Sequence, residues 1–288
     1  MTLLIHSMSE LSDIILPAMD AAGVCQIAEI GAEFGGMSQR LADFAAERGG
    51  ALTSIDPSVK PEFLEWLGRN PGVRHVAAPS LEAIPSLPAM DAWVIDGDHN
   101  YYTVYHELLA VDALCKRDEK PLFAFLHDVN WPCARRDSYY APDRIPADWR
   151  HPYDYDGGVT LDSEDLVPNG GFRGLGQFAF ATHSGGPRNG VLTAVEDFVA
   201  GTREEKGREL AFAYIPAVFG VAVLFDATAE WAPAVAPLLI PHHQSSLLQS
   251  MEENRLRNYL RVIELEDAWA SLVAQAKAAK EAPLAAAA

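Results

Sequence analysis

Two runs of this chain end apolar stretches in side chains able to carry protons and negative charge. In AWVIDGDHNYY (residues 92–102) the apolar Trp93, Val94 and Ile95 stop at Asp96, Gly97, Asp98, His99 and Asn100. In LFAFLHDVNWP (residues 122–132) the apolar run stops at His127 and Asp128. Such runs suit strands buried on both faces, and open α/β sheets bind ligands at the carboxyl ends of their strands. Two neighbouring parallel strands would bring both clusters into one cleft, the expected seat of chemistry. The competing reading is that Asp96 or Asp98 caps the helix beginning near Tyr101, with His99 a polar residue at the rim.

A third stretch, EIGAEFGG (residues 29–36), adds a binding turn. Its glycines Gly31, Gly35 and Gly36 miss the dinucleotide spacing, and it lacks the lysine and hydroxyl of a phosphate-binding loop. Such a turn lets backbone approach a ligand without cradling a pyrophosphate. Glu29 suits an amino group or hydroxyls, and Asp56, about 20 residues beyond the last glycine, is placed to accept from ribose hydroxyls. Together they fit a nucleoside without a diphosphate.

Stepping outward, QIAEIG, ALTSID, VRHVAA, MDAWVID and PLFAFLH read as strands separated by helical patterns, and such alternation predicts a doubly wound parallel sheet. A helix over 9–22, with Ser9 as its cap, precedes the first strand. LAFAYIP and FGVAVLF lie too close together for a helical crossover and predict an antiparallel hairpin. Residues 129–188 are too long for an ordinary connection and rich in aromatics, which predicts a substrate-covering loop. Within it, Trp131 to Tyr155 would cover the substrate, with Arg135, Arg136, Asp137 and Asp143 bonding its hydroxyls. His183 and the glycine-rich turn after it are explained by a turn and a helix cap. The adjacent His242 and His243 point in different directions and make a poor metal pair. From 241 onward a charged amphipathic helix, suited to packing on its own domain or on a second subunit, runs into an alanine-rich end expected to fray.

The balance of 22 Lys+Arg against 40 Asp+Glu gives a net charge of -18, which repels phosphate backbones and anionic membranes. Nucleic-acid and membrane partners are therefore not expected. Cys25, Cys115 and Cys133 show no zinc or disulfide spacing, so a reducing cytoplasm is the expected setting.

The elements EIGAEFGGMS, SID at Asp56 and IDGDHNYYTVYHEL resemble the class I methyltransferases that use S-adenosylmethionine (SAM). The similarity is to the metal-dependent O-methyltransferase branch that includes macrocin O-methyltransferase, over about residues 24–225. It implies a Rossmann-like, seven-stranded sheet with a C-terminal antiparallel hairpin. Residues 1–240 would form the methyltransferase domain, 129–188 its inserted loop region and 241–288 a C-terminal helical extension. By the same resemblance Glu29, Gly31, Gly35, Gly36, Met37 and Ser38 line the methionine end of the cofactor, Asp56 holds the ribose and Ser80 lies near the adenine. Asp96 binds a divalent metal and His99 is the general base. Where the relatives have a second acidic pair, this chain has His127 and Asp128.

The methyl of a sulfonium is already activated, so the enzyme must align a nucleophile and remove its proton. A divalent cation on Asp96 and Asp128 would stabilise the developing alkoxide, and His99 would take the proton. Oxygen ligands favour magnesium or manganese, whereas His127 as a third ligand would favour manganese, iron or zinc. The expected function is methyl transfer from SAM to a hydroxyl of a small, sugar-bearing or secondary-metabolite acceptor, in a homo-oligomer. The alternatives are N-methylation on the same fold and a silent nucleotide-binding or assembly module.

Overall fold

The computed structural model describes residues 4–203 and 208–281; the alanine-rich end from residue 282 lies outside them. A short 3-10 turn, Met8–Leu11, leads into α1 (Ser12–Ala21). Its cap is Ser7, whose hydroxyl accepts the Ser9 N–H at 3.2 Å, so Ser9 is not the cap. Then β1 (Gln26–Ile30), α2 (Gly36–Glu47), β2 (Ala51–Ile55), α3 (Pro61–Arg69), β3 (Arg74–Val76) and α4 (Ser80–Ala83) alternate. They are followed by β4 (Ala92–Ile95), α5 (Tyr101–Arg117) and β5 (Phe123–His127).

After the inserted region, with β6 (Ser138–Tyr139), β7 (Tyr153–Asp154) and β8 (Ala179–Ala181), the chain forms α6 (Val191–Arg203) and the hairpin β9 (Leu210–Ile215) and β10 (Val221–Asp226). It ends in α7 (Ala232–Leu239) and α8 (Ser246–Glu281). The main sheet runs β3-β2-β1-β4-β5-β10-β9, with β10 antiparallel to both neighbours. The expected doubly wound sheet with its terminal hairpin is borne out.

The apolar runs are continuous because the sheet is covered on both faces. Along β4, Trp93 and Ile95 join one core with Leu108, Val111 and Val195, while Ala92 and Val94 join the other with Ile27, Leu41 and Val235. Along β5 the same alternation sends Ala124 and Leu126 one way and Phe123 and Phe125 the other. A period of two with both sets apolar leaves no polar position until the strand ends. The polar groups of the site begin there.

The inserted region is built into the domain. Strands β6, β8 and β7 form a small antiparallel sheet. Buried Asp137 accepts the N–H groups of Tyr101 and Gly190 on one oxygen and the Tyr139 hydroxyl on the other, each at 2.7 Å. Arg136, 1% exposed, donates to the carbonyls of Ala181 and Glu164, and Arg135 pairs with Glu196. These side chains anchor the insertion to the first turns of α5 and α6. They are therefore corrected from acceptor-binding groups to structural ones, whereas Asp143 is exposed and faces Arg150.

Helix α8 lies across the insertion and the hairpin: Arg173 donates to Asp267 at 2.7 Å, and the rings of Phe172 and Tyr259 are 6.2 Å apart. Beyond these contacts Leu265, Trp269, Leu272 and Val273 stay exposed. No helix among the described residues is long and apolar enough to cross a membrane.

Candidate active site

The glycine turn leaves β1 at Gly31, whose φ of +86° places it in the left-handed region. A Cβ here would stand 2.1 Å from the Asp96 carbonyl oxygen, so the turn and the end of β4 touch backbone to backbone. Gly35, φ +84°, turns the chain into α2. Asp56 holds this turn from β2: one oxygen accepts the N–H groups of Ala32 and Glu33 at 2.9 and 3.1 Å, the other the Ser58 N–H at 2.7 Å. Its carboxylate is thus a clamp on the binding turn, a role the ribose assignment did not include. Glu29 is 1% exposed and accepts the hydroxyls of Ser38 and Ser54 at 2.5 and 3.0 Å. Ser38 accordingly acts on Glu29.

The two acidic clusters meet, as neighbouring parallel strands require: β4 and β5 pair from Trp93 with Ala124 to Ile95 with Leu126. Asp96, His99 and Asp128 each bring one ligand atom to within 4.8 Å of the others. His99 Nδ1 lies 3.3 Å from Asp128 Oδ2. The cap of α5 is Asn100, whose side chain accepts the Thr103 N–H at 2.9 Å, so neither Asp96 nor Asp98 is needed there.

His127 differs from its expected place among metal ligands. Its Nε2 donates to the Val218 carbonyl at 2.7 Å, while Nδ1 stands 3.1 Å from Asp96 and 3.3 Å from Asp128. Burial works against charging this ring, yet the two carboxylates outweigh it and push its pKa well above the usual histidine value. Burial likewise opposes ionisation of Asp128, but His99 and His127 hold that carboxyl down at about 2. With Nε2 committed to the Val218 carbonyl and Nδ1 facing both carboxylates, His127 sits as the buried counter-charge of Asp96 and Asp128, outside the group formed by Asp96, His99 and Asp128.

One cavity of about 360 Å³ joins these parts. Its floor is Glu29, Gly31, Ala32, Gly36 and Met37, with Glu33 and Phe34 at the turn and His6, Ser7 and Ser9 of the amino-terminal segment beside it. Asp96, His99 and Asp128 also line it, together with Pro132, Tyr140, Phe172, Phe178, Phe180 and Phe219. The ring of Tyr140 is 5.9 Å from His99 and 5.4 Å from Phe178, which meets Phe180 edge-on at 5.3 Å. Cys133 also lines the cavity, and burial keeps its thiol protonated and a poor nucleophile.

Gly35, Ser38, Asp56, Ser80 and His127 are not in the described lining. Ser80 opens α4. The aromatic wall was expected from residues 131–155, but of those aromatics only Tyr140 is in it. The others come from 172–180 and from the β9–β10 turn, where no periodicity distinguishes a wall residue from loop filling. His183 pairs with exposed Asp165, and His243 accepts the Tyr214 N–H, so both are structural.

The buried carboxyls set a pH dependence. Desolvation pushes Glu29 from 4.5 up to about 8, against the opposing hydroxyls of Ser38 and Ser54, and pushes wholly buried Glu107 up to about 8. The folded protein therefore holds these protons to higher pH than the unfolded chain, as it does the proton on His127. Their stabilising contribution is complete below about pH 4.5 and is lost as pH rises toward 8 and beyond. Thermal unfolding of the apoprotein at pH 5, 6.5 and 8 is expected to show a falling midpoint, with a shallower fall in Glu29→Gln. A midpoint that rises over this range would contradict protonated carboxyls.

Residues 28–119 match a family model described as a methyltransferase domain. The matched segment runs from β1 through α5 and includes the glycine turn, Asp56, Asp96 and His99, but ends before His127 and Asp128. No curated protein matches the chain. Among solved structures it is similar to the O-methyltransferase from Bacillus cereus in complex with S-adenosylhomocysteine (SAH), at 13% identity over 78% of this chain and 84% of that one, TM-score 0.44. It is also similar to TomG from Streptomyces achromogenes, an O-methyltransferase involved in tomaymycin synthesis, in complex with SAM (13% identity, 76% and 81% covered, TM-score 0.43). A third is the SAH-bound methyltransferase PaMTH1 of Podospora anserina (14% identity, 76% and 79% covered, TM-score 0.44).

Proposed function

We propose that the chain is a SAM-dependent O-methyltransferase acting on a small acceptor that presents a hydroxyl beside a flat apolar face. The observation that carries this reading is the single cavity joining the glycine turn to Asp96, His99 and Asp128. Four carboxyl groups and no lysine or arginine occur in its described lining. That polarity suits a sulfonium cation and disfavours a pyrophosphate or a phosphorylated acceptor. The rings in the same lining match the flat apolar face of a sugar or a secondary metabolite.

In this reading the acceptor oxygen attacks the methyl carbon as the carbon–sulfur bond breaks, and sulfur keeps the electron pair. His99, donating from Nδ1 to Asp128, takes the hydroxyl proton at Nε2, and Asp128 stabilises the imidazolium so formed. Two carboxylates and an imidazole also make a donor set that fits a divalent cation of the magnesium or manganese kind. In that alternative Asp96, His99 and Asp128 would hold it, and it would acidify the acceptor hydroxyl in place of proton removal by His99. His127 neutralises one of the two negative charges in either case.

Calorimetry with SAM, SAH and NAD tests the cofactor, and transfer of a labelled methyl to a panel of phenols and sugars tests the acceptor. Binding of both methionine nucleosides with none of NAD is expected, and SAH should form in proportion to methylated product. Tight binding of NAD alone would overturn the assignment.

A further inference from the structure

The turn between β9 and β10 is fixed from outside by α8. Val218, Phe219 and Gly220 have φ of +50°, +63° and +84° in succession, a conformation that β-branched and aromatic residues rarely adopt. Glu252, 3% exposed, satisfies this turn: its two oxygens accept the Val218 N–H at 3.1 Å and the Phe219 N–H at 2.8 Å. Arg255 donates to both oxygens of the same carboxylate, at 2.7 and 2.6 Å, and its guanidinium lies 4.7 Å over the Phe219 ring. What is held this way belongs to the site. The Phe219 ring lines the cavity, and the Val218 carbonyl receives the His127 Nε2–H.

We propose that Glu252 and Arg255 are positioning residues for methyl transfer, acting through the Val218–Phe219 peptides on His127 and on the acceptor wall. The inference rests on the methyltransferase reading above. A continuous path supports it: through the Phe219 N–H, Glu252 fixes the Val218–Phe219 peptide plane, that plane aims the Val218 carbonyl at His127, and His127 faces the two carboxylates. A bidentate, fully paired carboxylate is stiff, because both hydrogen bonds and the charge pair must break together for the turn to relax. Misplacing reacting groups by about 1 Å costs on the order of 10²-fold in rate.

Glu252→Gln keeps the shape but replaces one acceptor oxygen with a donor, orphaning one turn amide. Arg255→Lys keeps the charge and loses the planar fork. In Glu252→Gln, kcat is expected to fall about 10- to 100-fold and KM for the acceptor to rise, with SAM affinity within about twofold. Arg255→Lys should fall between that variant and the wild type. Two readouts do not depend on turnover: hydrogen exchange of the Val218 and Phe219 amides should accelerate, and the protected His127 Nε2–H resonance should be lost or broadened.

Faster exchange with unchanged kcat and KM would reduce Glu252 to a stabilising cap and overturn the proposal. Unchanged exchange and an unchanged His127 resonance would overturn it as well, by breaking the link at its first step. If Glu252→Gln fails to fold, Arg255→Lys carries the same comparison. A wild-type protein that binds no SAM would overturn the methyltransferase reading, while the exchange and resonance data would still test the link from Glu252 to His127.

Discussion

Asp128→Asn is expected to lower methyl transfer roughly 10²- to 10⁴-fold, the usual weight of a positioned proton-transfer group, with SAM affinity changed only a few-fold. The substitution isolates charge. Asp128 has φ +58°, a left-handed conformation that asparagine adopts as readily as aspartate, so the backbone does not object. What is lost is the negative partner of His99 Nδ1 and one of the two carboxylates that share the proton on His127. An amide at Oδ2 stabilises neither imidazolium. His99→Ala should fall in the same range. Wild-type turnover in Asp128→Asn would remove this carboxylate from the reaction.

Chelation separates the two ways this site can acidify a hydroxyl. If a divalent cation assists, exhaustive chelation should lower turnover and single metals should restore it, with magnesium or manganese effective because carboxylates dominate the donor set. Full activity after chelation would overturn the cation and leave the His99–Asp128 pair as the sole proton acceptor. Selective rescue by zinc would point instead to imidazole-dominated ligation and would reopen the role of His127.

Gly31→Ala is expected to cost about 4 kcal/mol or more in stability, enough to leave little folded protein. Two costs coincide at this position. Its φ of +86° disfavours any Cβ, and the added atom would stand 2.1 Å from the Asp96 carbonyl oxygen and 2.6 Å from Gly97 Cα. Neither neighbour is a flexible side chain, because the Asp96 N–H is bonded to the Ile30 carbonyl at 2.8 Å and the Gly31 N–H to the Ile55 carbonyl at 2.9 Å. Relief would require separating β1 from β4. Gly36→Ala in the same turn is the control: its Cβ meets the Ser7 and Ser9 hydroxyls at 3.4 and 3.8 Å, and alanine favours the helix that begins there. Urea unfolding should therefore place Gly36→Ala within about 1 kcal/mol of the wild type. A similarly small effect for Gly31→Ala would mean that the strand ends are not in contact as described.

The seven strands of the main sheet and the two acidic clusters at their ends were legible in the sequence alone, and the reason is burial. A strand covered on both faces must be apolar at every position, so 92–95 and 123–126 declare themselves, and the first polar residue after each marks the strand's carboxyl end. The glycine turn was legible for a related reason, since Gly31 and Gly35 occupy conformations that tolerate little else. Helix α7 was not legible: Pro237 weakens its interior, though Pro233 suits its first turn, and it forms because Val235 and Leu239 enter the core it shares with α1.

Only the tertiary structure decided what each polar residue does within the site. Asp56 became a clamp because the backbone amides of the turn, 23 and 24 residues earlier, reach it before any ligand does. His127 became a buried counter-charge because its second nitrogen is claimed by a carbonyl 91 residues away. Glu252 enters through an amide 34 residues away, from a helix whose pattern suggested only packing. Local pattern reports whether a position is buried, since burial selects residue type at that position. Function here depends on pairs of directional, charged groups distant in the chain, and one member of a pair carries no mark of the other.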